Sequence, residues 1–274
     1  MPLQQQQIRG PELPEISEPL AVYACQMDIA WEDKPANFAR FQRLLEDAEP
    51  RAGGLIVLPE MFATGFSMNA AAITEDPRTG RTGAFLADTA QRFGCHVLAG
   101  VVTSDRPGGA HHNEALIFAP DGSITGRYAK QRPFTPSGER DCYGAGICPV
   151  VLDINGLRVA PFICYDLRFP ELFRSALSLD VDAFIVIASW PGARIQHWDT
   201  LLRARAIENQ AYVVGVNRVG TDPTPLTYPG HSVVLDPSGA PLAEAGDREC
   251  VITATLAPSF VAQYRRELPF LNDR

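Results

Sequence analysis

Strand-length apolar runs alternate along this chain with longer segments in which apolar residues recur at helical spacing. Leu20 to Cys25 reads as a buried strand, and Pro35 then opens a helix with Phe38, Phe41, Leu44 and Leu45 on one face, which Gly53 and Gly54 are expected to end. The strand Leu55 to Leu58 follows, then a helix carrying Phe85, Leu86 and Phe93 with Gly94 as its stop. The alternation continues through His96 to Val102, Arg158 to Cys164, Ala183 to Ala188, a helix around Trp198 to Asn209, and Tyr212 to Val216. This is an α/β pattern. Hairpin signals interrupt it at Asp121-Gly122, Asn155-Gly156 and Pro237-Ser238-Gly239, so the sheet content is expected to be mixed rather than purely parallel.

Residues 1 to about 17 hold four consecutive glutamines and three prolines without an apolar core, and are expected to form a loose N-terminal extension. Residues 18–274 read as one domain, because no internal stretch exceeds an ordinary loop. A chain of 274 residues with 46% hydrophobic content can build a large core. Its net charge of −8 disfavours nucleic acid and anionic membranes as partners, and its apolar runs are too short to span a bilayer. The six cysteines include no CxxC pair, which fits a reducing cytoplasm better than a disulfide scaffold. No zinc-ligand spacing, P-loop or GxGxxG occurs, and adjacent His111 and His112 would face opposite sides of a strand, so neither metal nor cofactor is expected.

Three apolar runs end on a reactive side chain: Leu55 to Pro59 delivers Glu60, Ile124 to Ala129 delivers Lys130, and Arg158 to Ile163 delivers Cys164. Strand ends are where α/β sheets gather ligands, so the three can converge. Cys164 precedes Pro170 and Glu171, which suit the first turn of a helix, and the positive end of that helix would favour thiolate. Taken singly, Glu60 also reads as a solvated cap and Lys130 as a surface residue. His197 can mimic a partner for the thiol, but it begins a helix whose Trp198, Leu201 and Leu202 suggest a packing face.

In the order Glu, Lys, Cys, the motifs Leu58-Pro59-Glu60-Met61-Phe62, Tyr128-Ala129-Lys130 and Cys164 to Glu171 resemble the nitrilase, or carbon-nitrogen hydrolase, superfamily, over about Leu20 to Pro269. Segments 189–198 and 203–210 look most like its bacterial ω-amidase branch, which cleaves the terminal carboxamide of 2-oxo-dicarboxylic acid monoamides such as 2-oxoglutaramate and 2-oxosuccinamate. The resemblance implies a four-layer α-β-β-α sandwich with two mixed β-sheets, no cofactor, and a homodimer or larger homo-oligomer paired through the helices near Arg168 to Leu179 and Gln196 to Asn209.

The resemblance also implies roles. Glu60, drier than a surface carboxylate, is the general base and acid. Cys164 is the nucleophile that forms a thioester. Lys130 and the backbone N–H of Tyr165 stabilise the oxyanion. Glu139 is the candidate second carboxylate that orients Lys130, although Gln131 to Phe134 depart from the commoner family wording. Arg194 is the expected fork for a substrate carboxylate, with Trp190 and Phe66 flanking the carbon chain. Arg168 competes with Arg194, but its position is expected to be structural, tied to Glu171 or Asp166. Alternatives that keep the same chemistry are deaminated glutathione, N-carbamoyl amino acid or nitrile substrates; a catalytically silent interaction module is the reading from another class.

Overall fold

The computed structural model of the protein describes residues 18–104, 106, 108–224 and 226–274; the expected N-terminal extension lies outside them. In chain order the strands are β1 (Leu20–Gln26), β2 (Leu55–Val57), β3 (His96–Thr103), β4 (His112–Phe118), β5 (Ile124–Ala129), β6 (Leu152–Ile154), β7 (Leu157–Ile163), β8 (Ala183–Ala188), β9 (Tyr212–Asn217), β10 (Val219–Thr221), β11 (Thr227–Pro229), β12 (Val233–Leu235), β13 (Pro241–Glu244) and β14 (Cys250–Leu256). The helices are α1 (Lys34–Ala48), α2 (Ala70–Ile73), α3 (Arg81–Phe93), α4 (Glu139–Cys142), α5 (Pro170–Leu177), α6 (Ile195–Asn209) and α7 (Pro258–Glu267).

The strands form two six-stranded sheets, ordered β14-β1-β2-β3-β4-β5 and β13-β12-β9-β8-β7-β6, with β10 and β11 pairing separately. Both are mixed in the same way: β1, β2 and β3 run parallel, as do β7, β8 and β9, and antiparallel strands flank each trio. Alternation along each strand decides which layer a side chain joins. In the first sheet Leu20, Val22, Ala24, Leu55, Val57 and Leu98 share a core with the second sheet. Their neighbours Tyr23, Cys25, Ile56, Val97 and Ala99 pack outward against Phe38, Phe41, Leu45, Leu86 and Ala90 of α1 and α3. On the far side, α5 and α6 cover the second sheet through Phe173, Ala176, Trp198 and Leu202. The result is the four-layer α-β-β-α sandwich.

Helix ends follow local chemistry. Asp33 caps α1 by accepting from Ala36 N–H, and Pro35 occupies its first turn. The expected glycine stop is corrected: α1 ends at Ala48 on a left-handed Glu49, because Pro50 cannot continue the helix, and Gly53 and Gly54 belong to the turn into β2. Gly94 does cap α3 in the left-handed conformation. Full burial of Phe41 contributes about 1.5–3 kcal/mol, and truncation to alanine there would cost about 3–5 kcal/mol once the cavity is included. Among the described residues no helix is long and apolar enough to cross a membrane.

Candidate active site

The ends of first-sheet strands supply Glu60 and the amine, the short α4 supplies Glu139, and the second sheet supplies the sulfur. Glu60 lies just past β2 in a tight turn that includes Met61 at φ 47°. That turn lies directly on β3: Gly100 N–H donates to Pro59 O at 3.2 Å, and Phe62 N–H donates to Gly100 O at 3.1 Å. Only glycine fits beneath it, because a Cβ on residue 100 would stand 2.5 Å from the Glu60 Cα. Lys130 follows β5 immediately, its N–H held by Asn113 O at 2.9 Å. Glu139 opens the short α4 and accepts the backbone N–H of Phe134.

These groups meet out of water. The Lys130 ammonium donates to Glu60 Oε1 at 2.8 Å and to Glu139 Oε1 and Oε2 at 3.0 and 2.8 Å, with all three side chains at most 1% exposed. Burial alone would lower Lys130, but the Glu60 and Glu139 charges reverse this and hold the ammonium above its ordinary value. Asn113, absent from the sequence-derived set, donates through Nδ2 to Glu60 Oε1 at 2.7 Å and to Glu139 Oε1 at 2.8 Å. The second Glu60 oxygen accepts Ser189 N–H at 2.8 Å, so this carboxylate also reaches the end of β8 in the other sheet.

Cys164 directly follows β7 and takes the left-handed region, φ 47°, a conformation that costs a non-glycine residue about 1–3 kcal/mol. The expectation of a helix-favoured thiolate is corrected. A separate 3₁₀ turn, Cys164–Arg168, intervenes before α5, so the sulfur is not at that helix's first turn. Burial drives the thiol well above its ordinary value, and Glu60 adds to this by charge and by hydrogen bonding to the neutral form, against the pull of Lys130. Together these influences favour the neutral thiol, with an acceptor beside it.

The thiol faces a cavity of about 620 Å³ whose walls include Phe66, Tyr165, Trp190 and Arg194. All the residues expected at the site are therefore brought together: Glu60, Lys130 and Glu139 in the buried cluster, Cys164 and the remaining four on the cavity wall. Phe66 lies with its ring 5.2 Å from Lys130 Nζ, and the Arg194 guanidinium covers Phe134 at 5.5 Å. Trp190 is held by a buried clamp that sequence reading missed, since Asn217 Oδ1 accepts Trp190 N–H at 2.7 Å and Asn217 Nδ2 donates to Trp190 O at 3.0 Å.

Arg168 needs correction. It ties to neither Glu171 nor Asp166; it stacks on Trp190 at 4.8 Å, contacts His197 Nδ1 at 3.0 Å and lines the cavity. Glu171 instead faces Arg132 at 3.7 Å, and Asp166 is enclosed by other donors. Neither Arg168 nor Arg194 has a carboxylate partner among the described residues, which leaves two cations on the wall above a thiol. His111 and His112 diverge as expected, to Thr74 Oγ1 and Gly144 O.

A thiol, a carboxylate hydrogen-bonded to it and an ammonium beside them are groups that suit a hydrolase of carbon-nitrogen bonds. The chain belongs to the carbon-nitrogen hydrolase family, whose model matches residues 21–266. It is similar to the omega-amidase YafV of Yersinia enterocolitica, 41% identical with 90% of this chain and 94% of the relative covered. The 2-oxoglutaramate amidase of Bacillus subtilis is 32% identical, with 90% and 95% covered. Among solved structures, a CN-hydrolase superfamily protein of Xanthomonas campestris with an arsenic adduct in its active site superposes with a TM-score of 0.87. It is 35% identical, with 94% of this chain and 97% of that one covered.

Proposed function

We propose that this protein is an ω-amidase that hydrolyses the terminal carboxamide of 2-oxoglutaramate or 2-oxosuccinamate to the acid and ammonia. The observation that carries the reading is the pair of guanidiniums, Arg168 and Arg194, on the wall of a cavity that opens over Cys164. A 2-oxo acid brings one carboxylate, and arginine suits it. Trp190 and Phe66 flank the short carbon chain between that carboxylate and the reacting amide. The ω-amidase and 2-oxoglutaramate amidase relatives support the same substrate class.

The chemistry runs as two acyl transfers. Glu60 takes the Cys164 proton as sulfur attacks the amide carbon, so the cluster gains no net charge when the thiolate forms. Lys130 Nζ and the Tyr165 N–H receive the developing oxyanion, a stabilisation of about 3–4 kcal/mol per donor by analogy with other oxyanion holes. Collapse breaks the C–N bond while Glu60 returns its proton to nitrogen, which releases ammonia and leaves a thioester. Glu60 then draws a proton from water as the oxygen attacks, and the second collapse expels the sulfur, which recovers that proton. Glu139 accepts two hydrogen bonds from Lys130 and keeps the ammonium aimed at the reacting carbon.

A nucleophilic thiol must stay reduced, which supports a cytoplasmic setting. Exposed Leu179 and Ile207, after α5 and on α6, support pairing of two copies through those helices. A cavity of about 620 Å³ also admits a longer amide, and a deaminated glutathione amidase of Synechocystis is 32% identical with 87% of this chain covered. Ammonia release across 2-oxoglutaramate, 2-oxosuccinamate, deaminated glutathione, N-carbamoyl amino acids and nitriles separates the readings. The 2-oxo monoamides should lead in kcat/KM, and Arg168→Ala and Arg194→Ala should raise KM for them. A higher kcat/KM for deaminated glutathione would replace the assignment.

A further inference from the structure

We propose that Asp166 is a positioning residue that sets Lys130 against Cys164 by bonding the chain on both sides of the gap between the two sheets. Its carboxylate is fully buried, and its hydrogen-bond partners among the described residues are three donors. Asp166 Oδ2 accepts from Ile163 N–H at 3.0 Å, the residue immediately before the nucleophile. The same oxygen accepts from the Tyr128 hydroxyl at 2.8 Å, and Oδ1 accepts from Arg132 N–H at 2.8 Å. Tyr128 and Arg132 stand two residues to either side of Lys130. One side chain therefore grips the first sheet around the amine and the second sheet beside the sulfur.

The two sheets meet here through apolar packing, which resists separation but does little against sliding, because it has no directional preference. Three directional bonds to a single carboxylate supply the missing constraint. The left-handed backbone at Cys164 needs such a hold, since a relaxed turn would swing the sulfur away from Lys130 and Glu60. Asp166 touches no reacting atom; it acts through the two residues it fixes. The proposal rests on Lys130 and Cys164 being the reacting pair.

Asp166→Asn tests it, because an amide offers one acceptor oxygen and turns an N–H₂ toward donors, so either the Arg132 or the Ile163 contact is lost. A displacement of about an ångström can cost about 100-fold in rate, so kcat per folded molecule should fall at least about tenfold, with KM within about threefold. A smaller fall, or a loss expressed equally in KM, overturns the proposal. If Asp166→Asn does not fold, Tyr128→Phe decides: it removes the hydroxyl's bond to Asp166 and the longer one, 3.4 Å, that it accepts from Gln131 Nε2, but no backbone contact, and should lower kcat about fivefold with KM unchanged, whereas a wild-type kcat there overturns the role. Iodoacetamide alkylation of Cys164, followed by mass spectrometry, needs no amide substrate. A wild-type protein that alkylates but does not release ammonia from 2-oxoglutaramate sinks the substrate assignment alone, while a folded variant that alkylates as fast as wild type sinks the positioning role.

Discussion

Replacing Asn113 by leucine probes how two acids come to share one ammonium. The Asn113 amide is 1% exposed and donates to Glu60 Oε1 at 2.7 Å and Glu139 Oε1 at 2.8 Å. Hydrogen bonds to charged groups contribute about 1.5–3 kcal/mol each, so leucine forfeits about 3–6 kcal/mol. Part of that returns, because Asn113 Oδ1 is buried without a partner among the described residues and its removal relieves a desolvation cost of about 1–3 kcal/mol. The net expectation is a loss of about 2–3 kcal/mol; leucine keeps the branched shape of asparagine but is bulkier, so it leaves no cavity and any overpacking adds to the loss. Urea unfolding followed by tryptophan fluorescence reads the stability, and steady-state ammonia release reads kcat. We expect kcat to fall with stability, since Glu60 loses a bond that fixes its orientation. A stability change under about 1 kcal/mol together with a kcat near wild type would refute the shared-donor account.

Cys164 alkylation by iodoacetamide should keep rising with pH beyond 9, since burial and Glu60 hold the thiol neutral; a plateau below pH 7 would reveal a preformed thiolate. Lys130→Met leaves two buried carboxylates without a cation and should cost about 3–5 kcal/mol at pH 7. Urea midpoints equal to wild type would count against it. Gly100→Ala forces the Glu60 turn off β3 and should cut kcat while Cys164 still alkylates; unchanged kcat would mean the turn yields freely. Burial raises Asp166 to about 6, above an unfolded value of about 3.9. The folded state therefore binds this proton more tightly, and stability from this group falls as pH rises from about 4 to about 6, by up to about 3 kcal/mol. Relative to Asp166→Asn, wild type should lose stability across that window, and a flat difference between their urea curves would contradict the assignment.

The apolar runs and their punctuation made the layered α/β architecture legible, because a strand such as β1 or β2 announces itself by composition and a helix such as α3 by spacing and its terminal glycine. The reactive ends of β5 and β7 and the turn after β2 were legible for the same reason: a charged or nucleophilic residue directly after an apolar run is a local signal. Asn113, Asp166 and Asn217 carry no such signal. Asn113 and Glu60 are 53 positions apart and Asp166 and Tyr128 are 38 apart, and an isolated Asn or Asp reads the same whether it faces water or a buried partner. Arg168 was misread in the same way, since its proximity to Asp166 and Glu171 along the chain is undone by the turn that aims it at Trp190. The protonation of Cys164 was the clearest case. Neighbouring residues pointed to a helix end that favours charge, whereas the fold sets a half-buried cysteine beside an acid on a cavity wall. Covalent order determines which side chains follow which strands; ionisation and hydrogen-bond satisfaction depend on what water is excluded from, and only the folded packing decides that.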